Sequence, residues 1–275
     1  MAKNPELDKL SIEELFNYPQ ILSEMRESGY TRTDLEPILK DFEDCRTMYD
    51  DLLQRYVQEI RLFHGVHSTT SRVKSVGSLC EKILRKRDSR RVCITLDNYR
   101  TEIKDLLGIR ALYVFPEEFA EVDNQIYEAY SNIYDGNPEV RYRKGDTLKL
   151  FQDHFSESRV SYNDRDDYRS IHYTLHHKGD GLDIRIELQT RTIFEEGWSE
   201  INHRTVYGMA DRAKSQSLNI LSSVLSRMVG TCNDTSSLIY AIAMDTPVDH
   251  QIEVLNEGSS GVTLVDDLQN FIDGL

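Results

Sequence analysis

The stretch YRSIHYTLHHKGDGLDIRIELQ, residues 168–189, decides the fold. Its last eight residues alternate strictly. Leu182, Ile184, Ile186 and Leu188 fall on one face of a strand, and Asp183, Arg185, Glu187 and Gln189 fall on the other. At its start, Ile171, Tyr173 and Leu175 share one face while Tyr168, Ser170 and His172 share the opposite one. KGDG (178–181) between them is a turn signal, so the two runs read as a β-hairpin. Pairing them gathers Tyr168, His172, Glu187 and Gln189 on one polar face, as a site built on a sheet would require.

Working outward, LLGIRALYVF (106–115) reads as a buried strand with Asp105 just before it, and residues 117–132 read as a helix. Between 133 and 167, GNP (136–138), RYRKGD (141–146) and SYNDRDD (161–167) read as loops, with a short strand near Leu148–Phe155. Upstream, Ser11 with Glu14 and Thr33 with Glu36 have capping-box spacing. Apolar residues from Leu35 to Phe63 keep helical spacing, which predicts one long amphipathic helix from Thr33 to about His64. Residues 71–87 predict another helix, with Val73, Val76, Leu79 and Ile83 as its apolar stripe. Lys74, Ser78, Lys82 and Arg85 align on its other face. Like charges four residues apart oppose helix stability, and a bound phosphate chain would relieve them. Downstream, a helix is expected from about Thr192, carrying Trp198, Glu200, His203 and Tyr207. Ser215–Ile242 adds one or two more, broken near Gly230–Asn233.

At 275 residues with 39% hydrophobic side chains, the chain is long and apolar enough for a full core. No apolar run long enough to span a membrane is present, and the first residues lack a signal-peptide apolar core. A cytoplasmic protein is expected, with no membrane partner. Cys45, Cys80, Cys93 and Cys232 are far apart and form no CxxC pair, against a zinc ribbon or thioredoxin-type site. The net charge of −14 argues against binding nucleic acid over the whole surface. Yet Arg72–Arg91 holds eight Lys/Arg against two acids, an isolated cationic patch suited to a local polyanion such as a nucleoside triphosphate.

Asp105 and Glu187, each on a strand or at its start, form a pair that can hold Mg²⁺ beside phosphates contacted by the basic helix. Taken singly, each carboxylate reads more simply as a surface ion pair. Trp198, the only tryptophan, reads as core, and His203 as a hydrogen-bonded structural residue. His172 and His176 lie four residues apart on a strand, about 13 Å, too far for one metal. No HExxH or GxSxG motif is present.

Four segments in order, RVKSVGSLCEKILR (72–85), DLLGIR (105–110), YRSIH (168–172) and IELQTRTIFEEGWSEINH (186–203), resemble the RelA/SpoT-type (p)ppGpp synthetase domain. The resemblance implies an α+β fold: a mixed β-sheet flanked by helices, related to nucleotidyltransferases. It divides the chain into an N-terminal helical extension (1–70), a pyrophosphokinase core (71–210), and C-terminal helices with an acidic tail (211–275). It implies Mg-dependent transfer of the β,γ-pyrophosphate of ATP to the 3′-hydroxyl of GDP or GTP, releasing AMP. Arg72, Lys74, Lys82 and Arg85 would hold the ATP phosphates, Ser78 would add a hydroxyl, and Arg110 would face ATP. Asp105 would bind Mg²⁺. Glu187 would bind Mg²⁺ or take the proton of the attacking hydroxyl. Tyr168 would stack on the acceptor base, and His172 and Gln189 would position the acceptor. Arg191 and His203 match the motif and could equally be structural supports.

Two departures qualify the resemblance. Where the family shows a Lys-Pro-Asn-Gly run before the stacking Tyr, this chain has Asp164, Arg165, Asp166 and Asp167; Arg165, Arg169 and the RYRK segment are the basic groups near enough to compensate. A carboxylate common before the helical His is here Asn202, with Glu200 nearby. No His-Asp dipeptide occurs, so the family's metal-dependent hydrolase domain is not expected. The chain therefore reads as a small synthetase-only protein. An alternative is a toxic relative that pyrophosphorylates the 3′ CCA end of tRNA or makes another nucleotide, with a neutralising antitoxin as partner. A third reading is an inactive binding module. The C-terminal helices could pair across subunits of a homo-oligomer or cover their own core.

Overall fold

The computed structural model describes residues 6–90, 93–164, 167–205 and 212–244, with the side chains of 87–90 and 212–215 left aside. Tyr207, Arg165, Asp166, Arg91 and the acidic tail therefore lie outside the described residues.

A six-stranded mixed sheet organises the chain, in the order β1-β2-β6-β5-β3-β4. The strands are β1 (Ser68–Val73), β2 (Leu107–Tyr113), β3 (Glu139–Tyr142), β4 (Ser161–Asp164), β5 (Ser170–Gly179) and β6 (Leu182–Thr192). β2–β6 and β3–β4 pair in parallel, and the other neighbours are antiparallel. β5 and β6 are the expected hairpin, closed by Asp180 (φ 52°) and Gly181 (φ 77°). A two-residue loop with both φ values positive matches the right-handed strand twist, which is why Asp-Gly serves there. The alternating apolar residues of β6 are 0–5% exposed and face the core.

The helices are α1 (Ile12–Leu15), α2 (Pro19–Ser28), α3 (Arg32–Asp44), α4 (Arg46–Ile60), α5 (Val76–Arg90), α6 (Tyr99–Glu102), α7 (Glu118–Tyr130), α8 (Lys149–His154), α9 (Ile193–Thr205) and α10 (Arg212–Ala243). Ser11 and Glu14 make the expected capping box. Leu35, Ile38, Leu39 and Phe42 of α3 and Tyr49, Leu52, Leu53 and Ile60 of α4 are buried in one apolar cluster with the inner face of the sheet. No helix among the described residues is long and apolar enough to cross a membrane.

Several expectations are corrected. The long helix from Thr33 is two helices that meet at Cys45 (ψ 0°), and its capping box is Thr31 with Asp34, not Thr33 with Glu36. The apolar period continues across the junction, so the sequence pattern does not mark it. Arg72 lies on β1, not on a helix, and Lys74 lies in the connection before α5. Residues 149–154 are a short helix, and parts of two supposed loops fall in strands, Glu139–Tyr142 inside the sheet and Ser161–Asp164 at its edge. The C-terminal helix runs unbroken through Gly230, where the missing Cβ makes room for Arg169; a Cβ there would lie 3.2 Å from its Nη2.

A turn at Leu7–Lys9 packs across the start of α5. Leu7 is 1% exposed, and a Cβ on Gly77 would come within 2.1 Å of the Leu7 carbonyl oxygen. Only glycine allows this approach. Gly77→Ala should therefore cost about 1–3 kcal/mol, as overpacking does. Gly197→Ala, in α9 with nothing within 4 Å of a new Cβ, should instead stabilise by about 0.5–1 kcal/mol. Urea denaturation of the two variants checks both signs.

Candidate active site

The sheet register lays the polar residues out in two rows. One row crosses β1, β2, β6 and β5 as Arg72, Gly108, Glu187 and Thr174. The next runs Thr70, Arg110, Gln189, His172 and Glu139 across five strands. Gly108 carries no side chain beside Glu187, and a Cβ there would touch the Arg72 side chain at 3.7 Å. Thr70, Arg72, Gly108, Arg110, Glu187 and Gln189 of these rows line a cleft of about 410 Å³ with Asp105 and Arg204, while Thr174, His172 and Glu139 lie outside its lining.

Tyr168, His172, Glu187 and Gln189 meet as the hairpin predicts. His172 Nδ1 lies 3.1 Å from Glu187 Oε1, Gln189 Nε2 donates to Glu187 Oε2 at 2.7 Å, and Tyr168 Oη lies 3.3 Å from both His172 Nε2 and Gln189 Oε1. Burial pushes the 7%-exposed His172 below its ordinary pKa and keeps it neutral. A neutral ring that donates from Nδ1 accepts at Nε2, so one tautomer satisfies both partners. Burial opposes the Glu187 charge, but the hydrogen bonds from His172 and Gln189 outweigh it and hold the carboxyl below its ordinary range.

Asp105 is clasped by two cations. Lys74 Nζ and Lys82 Nζ donate to its Oδ2 at 2.9 and 3.0 Å. Burial would raise its pKa; the two ammonium groups overcome this and hold it well below the carboxylate range. Burial pushes Lys74 down despite this partner. The other oxygen, Asp105 Oδ1, is buried with no hydrogen-bond partner among the described residues.

The remaining candidates are placed less as expected. Arg110 faces the cleft but donates to Glu196 and Glu200 at 2.9 and 2.7 Å. Ser78 is buried and gives its hydroxyl to Asp8 at 2.6 Å, so the expected phosphate contact is already occupied within the chain. Arg85 is exposed on α5, and His203 is exposed on α9 outside the cleft lining. Arg191 is buried beneath Tyr168, its guanidinium 5.4 Å from the ring centroid, and donates to Gln189 Oε1 at 2.7 Å. Its Nε lies 3.1 Å from Glu196 Oε2, an ion pair off the hydrogen-bond line. Trp198 is 6% exposed between α9 and α10 and donates to the Ser222 carbonyl. The arginines expected to compensate for the acidic run are engaged internally: Arg169 with Asp146, Arg143 with Asp167, and Arg141 with Glu139. Glu196, Asp8 and Asp146 were missed by the sequence reading. Glu196 sits inside a quoted motif, but nothing local marks it as the partner of Arg110.

The His172 shift has a sign that can be tested. Its folded pKa lies below the unfolded value near 6.5, so the unfolded chain binds more protons on acidification. Its contribution is full above about pH 6.5 and is lost as pH falls through the folded value. Denaturation free energies of wild type and His172→Gln, measured from about pH 7 to 5.5, should converge as pH falls.

Residues 71–212 match the family described as a region found in RelA / SpoT proteins. The chain is 23% identical over 197 residues to the GTP pyrophosphokinase YwaC of Bacillus subtilis (strain 168), covering 66% of this chain and 83% of that protein. Among solved structures it is similar to small alarmone synthetase 1 from Bacillus subtilis. The form bound to its product pppGpp gives a TM-score of 0.51 at 18% identity, covering 74% of this chain and 99% of that one. The form bound to AMPCPP gives 0.50 at 16% identity, covering 75% and 100%. These likenesses confirm the α+β architecture, a mixed sheet flanked by helices. With the family region spanning more than half of its length, the chain belongs to the RelA/SpoT family.

Proposed function

We propose that this RelA/SpoT-family pyrophosphokinase moves the β,γ-pyrophosphate of ATP to the 3′-hydroxyl of GDP or GTP, making (p)ppGpp and AMP. The observation that carries the reading is the cleft itself. It sets an ionised, partly uncoordinated Asp105 and an ionised Glu187 beside Arg72, Arg110 and Gln189, with Tyr168 and His172 next to Gln189 beyond the lining. The GTP pyrophosphokinase relative and the pppGpp- and AMPCPP-bound synthetase support it.

Arg72, Lys74 and Lys82 take the donor phosphates, with Arg85 at the outer end of α5 and Arg110 released from Glu196 and Glu200 toward the nucleotide. Negative charge builds on the phosphoryl oxygens during transfer, and cations fixed in advance lower that barrier without reorganising. Tyr168, backed by the Arg191 guanidinium, stacks the acceptor base, and His172 and Gln189 fix the groups around the ribose. Glu187 accepts the hydrogen bond of the 3′-hydroxyl and takes its proton as oxygen bonds to the β-phosphorus. The bond from that phosphorus to the α,β-bridging oxygen breaks, and AMP leaves.

The donor set fits Mg²⁺. Asp105 Oδ1 is a buried oxygen lacking a partner, and Glu187 shares its cleft. No group of three His, Cys, Asp or Glu that could hold a metal is found among the described residues; Mg²⁺ commonly takes most of its ligands from substrate phosphates and water. Bound there by Asp105 and Glu187, Mg²⁺ would neutralise phosphate charge and lower the acceptor hydroxyl's pKa.

Purified protein with Mg²⁺ and ATP labelled at the terminal phosphate, given GDP, GTP or deacylated tRNA in parallel, tests the reading. Label is expected in guanosine tetra- or pentaphosphate; label on tRNA alone would overturn it. Asp105→Asn and Glu187→Gln should each lower turnover by about 10²-fold or more with the fold retained by circular dichroism. Tyr168→Ala should raise the acceptor KM about tenfold while leaving the KM for ATP near wild type, the worth of one stacked base.

A further inference from the structure

Tyr168 sits on the short link Asp167–Arg169, just before β5, with its hydroxyl 3.3 Å from Oε1 of the cleft-lining Gln189. Residues on both sides of it are fastened to the same two places: the turn at 143–146 and the helix α10. Arg169 is 10% exposed in its side chain and forms four hydrogen bonds. Its Nε and Nη2 grip both oxygens of Asp146 at 2.7 Å, and its Nη1 donates to the Ser226 carbonyl and hydroxyl oxygens at 2.9 and 2.8 Å. Asp146 also accepts the backbone N–H of Arg143 at 2.9 Å. On the other side of Tyr168, the Asp167 carboxylate accepts from Arg143 Nε at 2.7 Å and from the Ser223 hydroxyl at 3.2 Å. The Asp167 carbonyl accepts from the Ser226 hydroxyl at 2.8 Å. Gly230, one turn beyond Ser226, leaves the gap that Arg169 fills.

All of these α10 residues lie beyond residue 212, where the match to the family region ends. The Asp167 carboxylate is spent on Arg143 and α10 and does not present a bare charge to the acceptor.

From this we infer that Arg169 is a positioning residue: through Asp146, Ser226 and the Gly230 gap it ties the acceptor-stacking Tyr168 to α10, so the C-terminal helix sets the acceptor side of the cleft. The inference rests on the reading of Tyr168 as the acceptor platform. A fork gripping both carboxylate oxygens fixes direction as well as distance, which lysine cannot reproduce. Arg169 touches no substrate in this scheme; its effect passes through the ring it holds in place.

Arg169→Lys and Gly230→Ala test it, with Tyr168→Ala measured alongside. Alanine is the better helix former at an interior position, so Gly230→Ala perturbs the gap without weakening α10 as a helix. Both variants should raise the KM for GDP or GTP about tenfold, the scale of a small misplacement of a binding group, with the KM for ATP within about twofold of wild type. GDP binding without ATP, followed by the emission of Trp198, should weaken in parallel. That ring lies 6.3 Å from the Tyr168 ring and is the only tryptophan in the chain. If Arg169→Lys does not fold, Gly230→Ala carries the test alone. An unchanged acceptor KM in the folded variants, with Tyr168→Ala impaired, overturns the positioning role and leaves the acceptor reading standing. An unchanged acceptor KM in Tyr168→Ala overturns both. A fall in melting temperature with both KM values unmoved makes Arg169 a purely structural anchor and overturns the inference.

Discussion

A carboxylate kept ionised on a largely buried sheet face is the constraint from which the site's arrangement follows. Removing Glu187 from water penalises its charge, and only donors aimed at both oxygens compensate. Gln189 supplies one from two residues along β6 itself, and His172 supplies the other from β5 through the register that sets β5 against β6. Burial keeps His172 neutral, so it contributes a hydrogen bond without a second charge. Tyr168 then completes the chain at Nε2, and Arg191 fixes Gln189 from behind. Removing one member leaves the next with an unmet donor or acceptor in a low-dielectric setting, where such a loss is most costly.

The other carboxylate is handled by opposite means. Asp105 is compensated by full cations on one oxygen, and its second oxygen is left bare. The cleft thus holds one carboxylate saturated by neutral or amide donors and one that is charge-paired but coordinatively incomplete. On the proposed reading Glu187 handles the proton and shares the metal, while Asp105 serves the phosphate-metal side alone.

The sheet centre was legible in the sequence because alternation is a local signal: each residue of LDIRIELQ declares its face through its immediate neighbours. The same reading placed Tyr168, His172, Glu187 and Gln189 together. It failed where structure depends on distant contacts. The apolar period runs through Cys45, so the break between α3 and α4 has no local mark. Gly230 reads as a helix breaker until Arg169, far away in sequence, is seen filling its gap. Arg72 looked helical from spacing alone but pairs with Gly108 on β2. Ser78 looked exposed on a cationic face, yet the Asp8 carboxylate in the turn Leu7–Lys9 claims its hydroxyl.

The parallel pairing of β2 with β6 is a seam through the cleft. Arg72 and Arg110, with Asp105 just before β2, lie on one side of it; His172 and Gln189, with Tyr168 just before β5, lie on the other, and Glu187 faces Gly108 across it. The first half is braced by α5 and, through Arg110, by α9; the second is braced by α9 and α10. Substitutions on α10 that reshape the second half need not disturb the first. A lineage could therefore drift from one acceptor to another while its pyrophosphate donor stays fixed, and divergence within such a scaffold would accumulate on one side of a single strand pair.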